Sequence, residues 1–454
     1  MKNYSRLLNP TRRTSRGLII RLRPPEILLI GFTLLALLGM LLLKLPAMTT
    51  APISWLEALF TAASAITVTG LSVISVAHEL SFYGQLVVIV LIQIGGLGFM
   101  TLAALTVLLL GRRMPLNQQN LVRESLNQSS LGQIGRLVRI IALFAIIVEL
   151  IGTALLALDW VPTLGWRHGL WASLFLSISA FNNAGFSIFD NSLSGDVGDP
   201  LVNLVITGQF IIGGLGFAVI GELRQRHKHR MSAQTRLILS ATLIINLVSM
   251  LLLLLLEWNN PATLGGLPHW DDRLWAAWFQ AVTPRTAGFH TLDTGALTMP
   301  STLLTMLLMF IGGGPSSTAS GIKITTFVVL LLTARAFLQG RNEPVAFQRR
   351  MSPETVTKAV AVAMASMLLI FLVLFLLTVT QQHLDFMDLA FETVSAFGTV
   401  GLSRGITDQL TPDGQLLLIV TMLLGRVGPL SLGYLVASRR VPGTRFATEH
   451  VQIG

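Results

Sequence analysis

The 454-residue sequence contains no cysteine and little charge, with Asp, Glu, Lys and Arg together making up 12% of its residues. The absence of cysteine excludes disulfides and thiolate-ligated metal sites. A charge content this low, beside 52% hydrophobic residues, excludes an ordinary soluble domain. Aromatic residues are also few, at 7%, whereas the sequence has 40 glycines and 18 prolines. The composition therefore indicates a polytopic membrane protein whose helices contain breaks.

Eight runs are apolar enough and long enough to cross a bilayer, which takes about 20 residues. They lie at roughly 27–44, 84–111, 136–158, 201–223, 233–257, 303–337, 357–380 and 414–437. A shorter apolar run lies between the members of each successive pair, at 54–66, 170–181, 272–283 and 385–397. Runs of this length reach only about 20 Å as helices, short of the roughly 30 Å hydrocarbon core. They therefore predict re-entrant half-helices rather than spans.

The basic residues are concentrated in the linkers between the resulting hairpins. Most of the 32 lysines and arginines fall within 1–26, 112–139, 224–236, 335–358 and 438–454. The positive-inside rule makes that side cytoplasmic, so we expect a multi-pass protein with both termini in the cytoplasm. The opposite side is rich in aspartates, which either concentrate cations or form an ordinary solvated surface. The net charge of +10 thus reports topology and not a nucleic-acid partner.

The sequence contains four copies of one unit, which consists of a span, a half-helix, a glycine strand and a second span. The half-helix ends read ALFTAASAITVTGL, SLFLSISAFNNAGF, AWFQAVTPRTAGF and LAFETVSAFGTVGL. Each second span carries an aligned glycine, within IQIGGLGF, FIIGGLGF, FIGGGPSS or LLGRVGPL. For GGLGF, close helix packing is the favoured role. The half-helix glycine and the second-span glycine recur together about every 110 residues, and this repetition predicts four quasi-equivalent quarters around an axis.

The repeat also predicts the domain boundaries and the fold. We expect a basic cytoplasmic segment 1–26, repeat 1 at 27–111, repeat 2 at 136–223, repeat 3 with a broken second span at 233–337, repeat 4 at 357–437, and a cytoplasmic tail 438–454. The fold class is an all-α polytopic membrane protein with eight transmembrane helices, in which four span–pore-helix–filter–span repeats surround one central pore. Phe279 precedes its glycine by nine residues where the other copies have ten, so the third copy is one residue shorter or Trp278 takes that place.

The glycine strands predict a cation-selective filter. Backbone carbonyls can replace the water around a cation, glycine permits positive φ, and the C-terminus of a half-helix adds partial negative charge. The candidate filter residues are Thr67, Val68, Thr69, Gly70, Asn183, Ala184, Gly185, Thr286, Ala287, Gly288, Thr399, Val400 and Gly401. A single glycine of this kind would suggest a helix C-cap, but its fourfold recurrence favours a carbonyl ring.

The sixth apolar run cannot be one continuous helix. It contains Gly312, Gly313, Gly314, Pro315, Ser316, Ser317, Thr318, Ala319, Ser320 and Gly321, followed closely by Lys323. Glycine and proline disfavour a helix interior, and non-helical backbone at membrane depth must be buried in protein or line a cavity. The segment therefore predicts a gating loop on the cytoplasmic side of the filter, with a static kink as the alternative.

Arg426 stands where the other three copies have glycine. A charge at mid-membrane costs about 2.5–3.5 kcal/mol on insertion scales and marks a functional residue by default. Arg426 either faces the pore as a barrier to cations or forms a structural ion pair with Glu392 or another acid, and the two readings are compatible. Glu149, Glu222 and Glu257 are interpreted as packing or boundary charges rather than ligands.

Together these features resemble the Trk/Ktr/HKT superfamily of potassium transporters. The resemblance is carried by the four half-helix-plus-glycine units, the GGLGF pair, GGGPSSTASGIK (312–323) and MLLGRVGPLS (422–431). Eight spans without an extra N-terminal hairpin, and the ending GTRFATEHVQIG, are more similar to the Ktr membrane subunit than to its Trk counterpart.

The resemblance implies potassium uptake across a bacterial inner (cell) membrane, often with Na⁺ as an activator and with no cofactor in this chain. It implies K⁺ bound by the backbone carbonyls of Gly70, Gly185, Gly288 and Gly401, a gate at 312–321, and a role in gating for Arg426. It also implies a homodimer in the membrane lipid, seated on a cytosolic ring of KtrA-like subunits that bind ATP or ADP. Serine at the first filter glycine accompanies sodium selectivity in some plant relatives, so Gly70 favours potassium.

Two other functions compete with potassium uptake. A sodium-selective or nonselective monovalent cation transporter would share the architecture. An alternating-access carrier for an organic solute would show two pseudo-symmetric halves, against which the fourfold repeat argues. The sequence shows no nucleophile–base or metal constellation, so no enzyme is expected.

Overall fold

The computed structural model describes residues 24–110, 134–224, 231–341 and 343–428. These residues are helical apart from their loops and one two-stranded hairpin. Most of the predicted basic segment 1–26, all of the predicted tail 438–454 and the end of the eighth apolar run lie outside the described residues.

The helices follow one another in four groups. The first group is α1 (Pro24–Leu43), α2 (Trp55–Thr67) and α3 (Phe82–Leu110); the second is α4 (Ile134–Leu164), α5 (Trp166–Phe181), α6 (Pro200–Leu215) and α7 (Phe217–Arg224); the third is α8 (Ala233–Glu257), α9 (Trp270–Val282), α10 (Met299–Phe310) and α11 (Ile324–Leu338). The hairpin of β1 (Val345–Ala346) and β2 (Arg349–Arg350) precedes the fourth group, α12 (Pro353–Thr380), α13 (Phe386–Gly398) and α14 (Pro412–Val427). The four short helices α2, α5, α9 and α13 lie at the predicted half-helices.

Side-chain capping fixes where several helices begin. Ser54 and Glu57 form a reciprocal capping box at the start of α2. Asp199 accepts hydrogen bonds from two backbone N–H groups at the start of α6, and Ser232 and Ser352 do the same for one N–H each at α8 and α12. Each cap satisfies amide groups that a helix terminus would otherwise leave without a partner.

The short helices form the interior and the long helices the periphery. Every residue of α13 from Leu389 to Gly398 is buried, and α2 is buried over most of its length. The long helices α8 and α12 instead expose large apolar side chains, among them Leu243, Ile244, Leu247, Leu251, Met364, Leu368 and Phe371. An apolar exterior around a close-packed interior suits a protein whose outer surface faces lipid.

Three helices in the described stretches of the chain are long and apolar enough to cross a membrane, within Arg139–Leu164, Ala233–Glu257 and Pro353–Thr380. A fourth candidate is α6 with α7, if the bent pair counts as one span. Shorter apolar helices cover Leu28–Leu43, Phe82–Gly98, Met299–Phe310 and Ile324–Leu338. The eight predicted spans therefore stay a prediction.

The predicted fourth span, 201–223, is two helices bent by 96° at Gly216. Gly216 has a φ of +97°, and a Cβ there would collide with the carbonyl oxygen of Pro315. The N–H of Phe217, the first residue of α7, donates to the carbonyl of Ser316 over 3.0 Å. The bend follows from the third group, whose glycine-rich loop occupies the place where α6 would continue. The sequence of α6 and α7 alone carries no sign of this loop.

Glycines in the second long helix of three groups allow the ends of the short helices to approach. A Cβ at Gly95 would collide with the carbonyl oxygen of Ile66, and one at Gly213 with that of Phe181. A Cβ at Gly425 would collide with the carbonyl oxygen of Phe397. Each of these carbonyls lies four residues before the glycine of its strand. These contacts agree with the packing role predicted for the GGLGF pair.

Two glycines of α6 provide a test of this packing. The Cβ of Gly213→Ala has no space, so we expect the substitution to lower the free energy of unfolding by about 1–3 kcal/mol. Gly208 has no atom within 4 Å of an added Cβ, so Gly208→Ala is the matched control and should be neutral or stabilising by up to about 1 kcal/mol. The measurement is the thermal unfolding midpoint in detergent. Equal midpoints for the two variants would contradict the close approach.

Candidate functional site

One cavity brings together the four glycines that follow the short helices. Gly70, Gly185, Gly288 and Gly401 all line a space of about 410 Å³, although they are far apart in the sequence. We call the segments that end at these glycines the glycine strands; they are Val68–Gly70, Asn183–Gly185, Thr286–Gly288 and Thr399–Gly401. Thr67, predicted to belong to the first strand, is the last residue of α2.

The glycine strands approach one another in a closed cyclic order. A Cβ added to Gly70 would lie less than 3.0 Å from the carbonyl oxygen of Ala184 in the second strand. The same holds for Gly185 and the carbonyl of Ala287, for Gly288 and that of Val400, and for Gly401 and that of Thr69. The absence of a side chain at each glycine thus leaves space for a carbonyl of the neighbouring strand. Because the fourth strand contacts the first, the four strands form a closed ring.

All four strands share an alternating backbone conformation. The glycines have φ values of +95°, +69°, +81° and +93° in chain order. The residue two positions earlier also has positive φ in each strand, namely Val68, Asn183, Thr286 and Thr399. Such a conformation costs a non-glycine residue about 1–2 kcal/mol. Its occurrence at four equivalent positions indicates a constraint imposed by the site, because strain of this kind concentrates where function requires it.

Hydrogen bonds hold the outer side of each strand to the preceding short helix. In the first strand the N–H of Thr69 donates to the carbonyl of Ser64 (2.8 Å), and the N–H of Gly70 donates to the Ser64 hydroxyl (3.1 Å). The fourth strand repeats both bonds, from Val400 and Gly401 to Ser395 (2.9 and 3.1 Å). The strand N–H groups are therefore satisfied by the end of the short helix, and the strand carbonyls take no part in these bonds.

The second and third strands are anchored by related bonds. Ser179 occupies the position of Ser64 and Ser395, accepting from the N–H of Ala184 through its carbonyl (2.8 Å) and donating its hydroxyl to the carbonyl of Phe186 (2.8 Å). In the third strand the corresponding donor is the hydroxyl of Thr283, which lies one residue closer to its glycine and donates to the carbonyl of Phe289 (2.5 Å). Phe279 is fully buried, as are its counterparts in the other units, so the third copy is one residue shorter and Trp278 does not take the phenylalanine place.

The cavity beside the glycines carries acidic side chains. Asp190, Asp293 and Asp408 line it, and Arg404, which lies between the lining residues Ser403 and Gly405, is paired with Asp388 over 2.5 Å. His290 also lines the cavity; burial lowers its pKa more than nearby Asp293 raises it, which disfavours its cationic form. The mouth of the site is thus poor in positive charge, which favours the approach of cations.

The predicted gating loop, residues 312–321, separates α10 from α11 and packs against the second group. The N–H of Gly314 donates to the carbonyl of Gly214 (2.7 Å), and that of Thr318 to the carbonyl of Gly213 (3.2 Å). The Thr318 hydroxyl lies 2.9 Å from the side-chain amide of Asn183. The loop is therefore bonded both to the bent helix α6 and to the second glycine strand.

Arg426, on α14, fastens the same loop from the other side. Its guanidinium donates to the carbonyl of Thr318 and to the Ser320 hydroxyl (3.2 Å). It also donates to the carbonyls of Gly95 (2.5 Å) and Gly96 (3.3 Å) in α3. Arg426 is 6% exposed, and all its acceptors are uncharged. It is not paired with Glu392, which accepts instead from the Thr407 hydroxyl (2.5 Å).

Lys323 follows the loop and completes this fastening. Its ammonium donates to the carbonyl of Ala319 over 2.7 Å. The N–H of Gly312 donates to the carbonyl of Ile322 (2.9 Å), so the two ends of the loop are joined by backbone as well. The loop is consequently closed by hydrogen bonds at both of its ends.

Glu149 and Glu257, interpreted as packing or boundary charges, each accept hydrogen bonds from neighbouring elements. The carboxylate of Glu149 accepts from the side-chain amides of Asn182 (3.1 Å) and Gln93 (3.3 Å), immediately behind the second glycine strand. Glu257 accepts from the N–H and hydroxyl of Thr298 (2.9 and 2.6 Å), where α10 begins. No motif marks either residue; a carboxylate within or at the end of an apolar run was the available signal.

The geometry defines a class of protein: a helical membrane protein in which four backbone strands meet at one carbonyl-rich, acid-rimmed site suited to a cation. A family model described as "TrkH: Cation transport protein" matches residues 32–443. The chain belongs to this family of cation transporters, which are not enzymes, and the membership confirms the Trk/Ktr resemblance drawn from the motifs.

Individual relatives agree with the family. The chain is 48% identical over 436 residues to the Ktr system potassium uptake protein B of Bacillus subtilis, covering 96% of this chain and 98% of that protein. It is 33% identical to the potassium/sodium uptake protein NtpJ of Enterococcus hirae, covering 96% and 98%. The crystal structure of the potassium transporter TrkH from Vibrio parahaemolyticus has the same fold, with a TM-score of 0.72 and 21% identity over 93% of this chain and 87% of that one.

The serine anchors can be tested within one helix. Ser395→Ala removes the acceptor of the Gly401 N–H and leaves a partly buried donor without its side-chain partner, and a fully buried donor in that state would cost about 1–3 kcal/mol. Thr393→Val is the matched control, since the buried Thr393 hydroxyl bonds only the carbonyl of Leu389 in its own helix (2.7 Å). We expect Ser395→Ala alone to weaken the stabilisation of the purified protein by Rb⁺, measured as the shift in thermal midpoint. The anchor would be dispensable if both variants kept the full shift.

Proposed function

We propose that the protein mediates potassium ion uptake across the cell membrane through the ring of glycine strands. The single observation that carries this proposal is the cyclic approach of the four strands, whose amides bond outward and whose carbonyls are left to replace the water around a bare cation. The C-termini of the four short helices add partial negative charge at the same place. Similarity to a potassium uptake protein along almost the whole chain supports K⁺ as the ion.

The proposed K⁺ ligands are backbone carbonyls of the strands, with the best ring at Gly70, Gly185, Gly288 and Gly401. Val68, Thr69, Asn183, Ala184, Thr286, Ala287, Thr399 and Val400 would supply the adjacent carbonyls. Thr67 contributes from the end of α2, where its hydroxyl lies 2.7 Å from that of Thr69. Because the side chains differ among the strands, the glycine layer is the one with the closest approach to fourfold symmetry.

The proposed architecture places this ring in a membrane. Four repeats, at 27–111, 136–223, 233–337 and 357–437, would supply eight spans around one pore. The concentration of basic residues supports cytoplasmic positions for the segment 1–26, the linkers and the tail 438–454. The membrane would be the bacterial inner membrane, with both termini in the cytoplasm.

The loop 312–321 is the proposed gate beneath the ring. Arg426 and Lys323 would hold it closed by donating to loop carbonyls, so opening requires these bonds to break. Charge-assisted hydrogen bonds of this kind contribute about 1.5–3 kcal/mol each when made. Arg426 would thus act through its hydrogen bonds to the loop as well as through its charge. One side chain would serve both as a barrier to cations and as a structural tie.

The proposed partners follow from the resemblance to Ktr systems. A homodimer with one pore per subunit would sit on a cytosolic KtrA-like ring that binds ATP or ADP and shifts the loop between closed and open states. Sodium would act as an activator. A relative whose name includes both potassium and sodium favours one second candidate, a less selective monovalent cation transporter; Gly70, in place of serine, argues for potassium.

The decisive variant for the ring is Gly288→Ser. The added Cβ would collide with the carbonyl of Val400, and φ at Gly288 is +81°. Gly405→Ser is the matched control, because Gly405 also has positive φ, at +87°, but open space around it. In a potassium-uptake-deficient strain at low potassium, we expect Gly405→Ser to support growth and Gly288→Ser to fail at equal protein levels. Growth of both variants would contradict the assignment of the glycine ring as the ion-binding site. If the unmodified protein took up Na⁺ faster than Rb⁺, the less selective monovalent cation transporter would be favoured instead.

Two substitutions at Arg426 separate its charge from its bonds. Arg426→Gln loses both, and we expect Rb⁺ uptake per protein molecule to rise about tenfold, which corresponds to about 1.4 kcal/mol less stabilisation of the closed loop. Arg426→Lys keeps the charge but loses the planar fork that reaches several carbonyls, so an intermediate rise is expected. Unchanged uptake in both variants, at normal amounts of folded protein, would rule out the fastening.

A further inference from the structure

A second cavity, of about 350 Å³, shares no lining residue with the cavity of the glycine ring. It lies where α8, α11, the β1–β2 hairpin and α12 meet. Its lining residues are Ala233, Gln234, Leu237, Thr325, Val329, Ala346, Arg349, Arg350, Met351 and Thr355. None of them is acidic, and the proposed transport function uses none of them.

The polar side of this cavity is suited to an anion. Arg349 and Arg350 supply two guanidinium groups, of which Arg350 also pairs with Glu343 over 3.0 Å at a largely exposed position. Arg349 makes no ion pair among the described residues. The first turns of α8 and α12 open onto the same space through Ala233, Gln234 and Thr355. Helix N-termini carry partial positive charge. Glu354 in the first turn of α12, and Glu222, which accepts from the N–H of Ser232 at the start of α8 (3.0 Å), offset part of it, so the two guanidinium groups are the main source of positive potential.

The hairpin fixes the orientation of Arg349. Ala346 and Arg349 are directly paired across the two strands, so their side chains share one face, and both line the cavity. The connecting residues Phe347 and Gln348 have φ values of +48° and +63°, the conformation of a tight two-residue hairpin turn. Non-glycine residues rarely adopt this conformation. The turn thus sets the register that directs Arg349 into the cavity.

The remaining lining is apolar, and its position is at a membrane boundary. Leu237, Val329 and Met351 line the cavity. The helices α8 and α12 are two of the candidate membrane spans, and both begin at this cavity. An occupant would therefore have its charged group at the level of the headgroups and an apolar portion beside the start of two spans. Free phosphate would satisfy the arginines but leave the apolar lining unused.

We propose that this cavity binds the phosphodiester headgroup of an anionic phospholipid, with Arg349 as the principal contact and Arg350 at the rim. Basic pockets between membrane helices are suited to such headgroups, because each basic residue near the surface adds to the attraction. The occupant would touch Thr325 and Val329 of α11, the helix that directly follows the loop 312–321. A lipid at this place would brace that helix from the membrane side.

The test uses the full-length protein, freed of lipid in detergent, with bound phosphatidylglycerol or phosphatidylcholine counted by native mass spectrometry. We expect the double variant Arg349→Gln/Arg350→Gln to bind phosphatidylglycerol about tenfold more weakly than the unmodified protein. The loss of affinity is smaller than the removal of two unpaired arginines would cause, because Arg350 is already paired with Glu343. Phosphatidylcholine binding should be unchanged. Ala346→Leu fills the cavity while keeping both arginines, and it should weaken phosphatidylglycerol binding as well.

The matched control is Arg335→Gln/Arg341→Gln, which removes two arginines of the same region from outside the cavity. Phosphatidylglycerol affinity within about twofold of the unmodified protein is expected for it. An equal loss in both double variants would contradict a specific site. Full competition by millimolar inorganic phosphate would overturn the lipid assignment in favour of a soluble phosphate. Because the readout is binding, the result does not depend on whether the protein transports potassium.

Discussion

The rest of the structure depends on one steric constraint: four backbone strands meet so closely that only a hydrogen atom fits at each glycine. A Cβ at any of the four positions would collide with a carbonyl oxygen of the next strand. This close approach requires a positive φ at every second strand residue and hydrogen bonds that point away from the ring. The short helices accept those hydrogen bonds from the strand N–H groups. The burial of α2, α5, α9 and α13 and the apolar exterior of the long helices both follow from placing this ring at the centre.

The constraint extends below the ring through the bonded loop. Asn183 belongs to the second strand and lies beside Thr318 of the loop. Arg426, in the fourth group, donates both to that loop and to the carbonyls of Gly95 and Gly96 in the first. Elements from all four groups are thus joined within one hydrogen-bonded layer. Any movement of the loop would therefore disturb a glycine strand or an interhelical contact, which couples the loop physically to the ring.

Local sequence predicted where the four short helices lie and which four glycines line one cavity, because half-length apolar runs and recurring glycines are properties of neighbouring residues. The positive φ of Val68 and Thr399 was not predictable, since β-branched residues avoid this conformation unless the surroundings enforce it. The bend at Gly216 was missed because its cause, Pro315, is about a hundred residues away. The partners of Arg426 were missed because isolated carbonyls carry no mark in a sequence, whereas carboxylates such as Glu392 do. Ser64, Ser179 and Ser395 were visible at one aligned position and could have been identified as anchors.

The central claim is that carbonyls of the glycine strands hold a bare cation on the axis they enclose. Anomalous diffraction from crystals grown in Rb⁺ or Tl⁺ tests it directly, because these ions substitute for K⁺ and scatter strongly. An anomalous peak is expected within coordination distance of the carbonyls of Gly70, Gly185, Gly288 and Gly401. Peaks confined to the aspartates of the outer cavity, with none at the glycine ring, would contradict it.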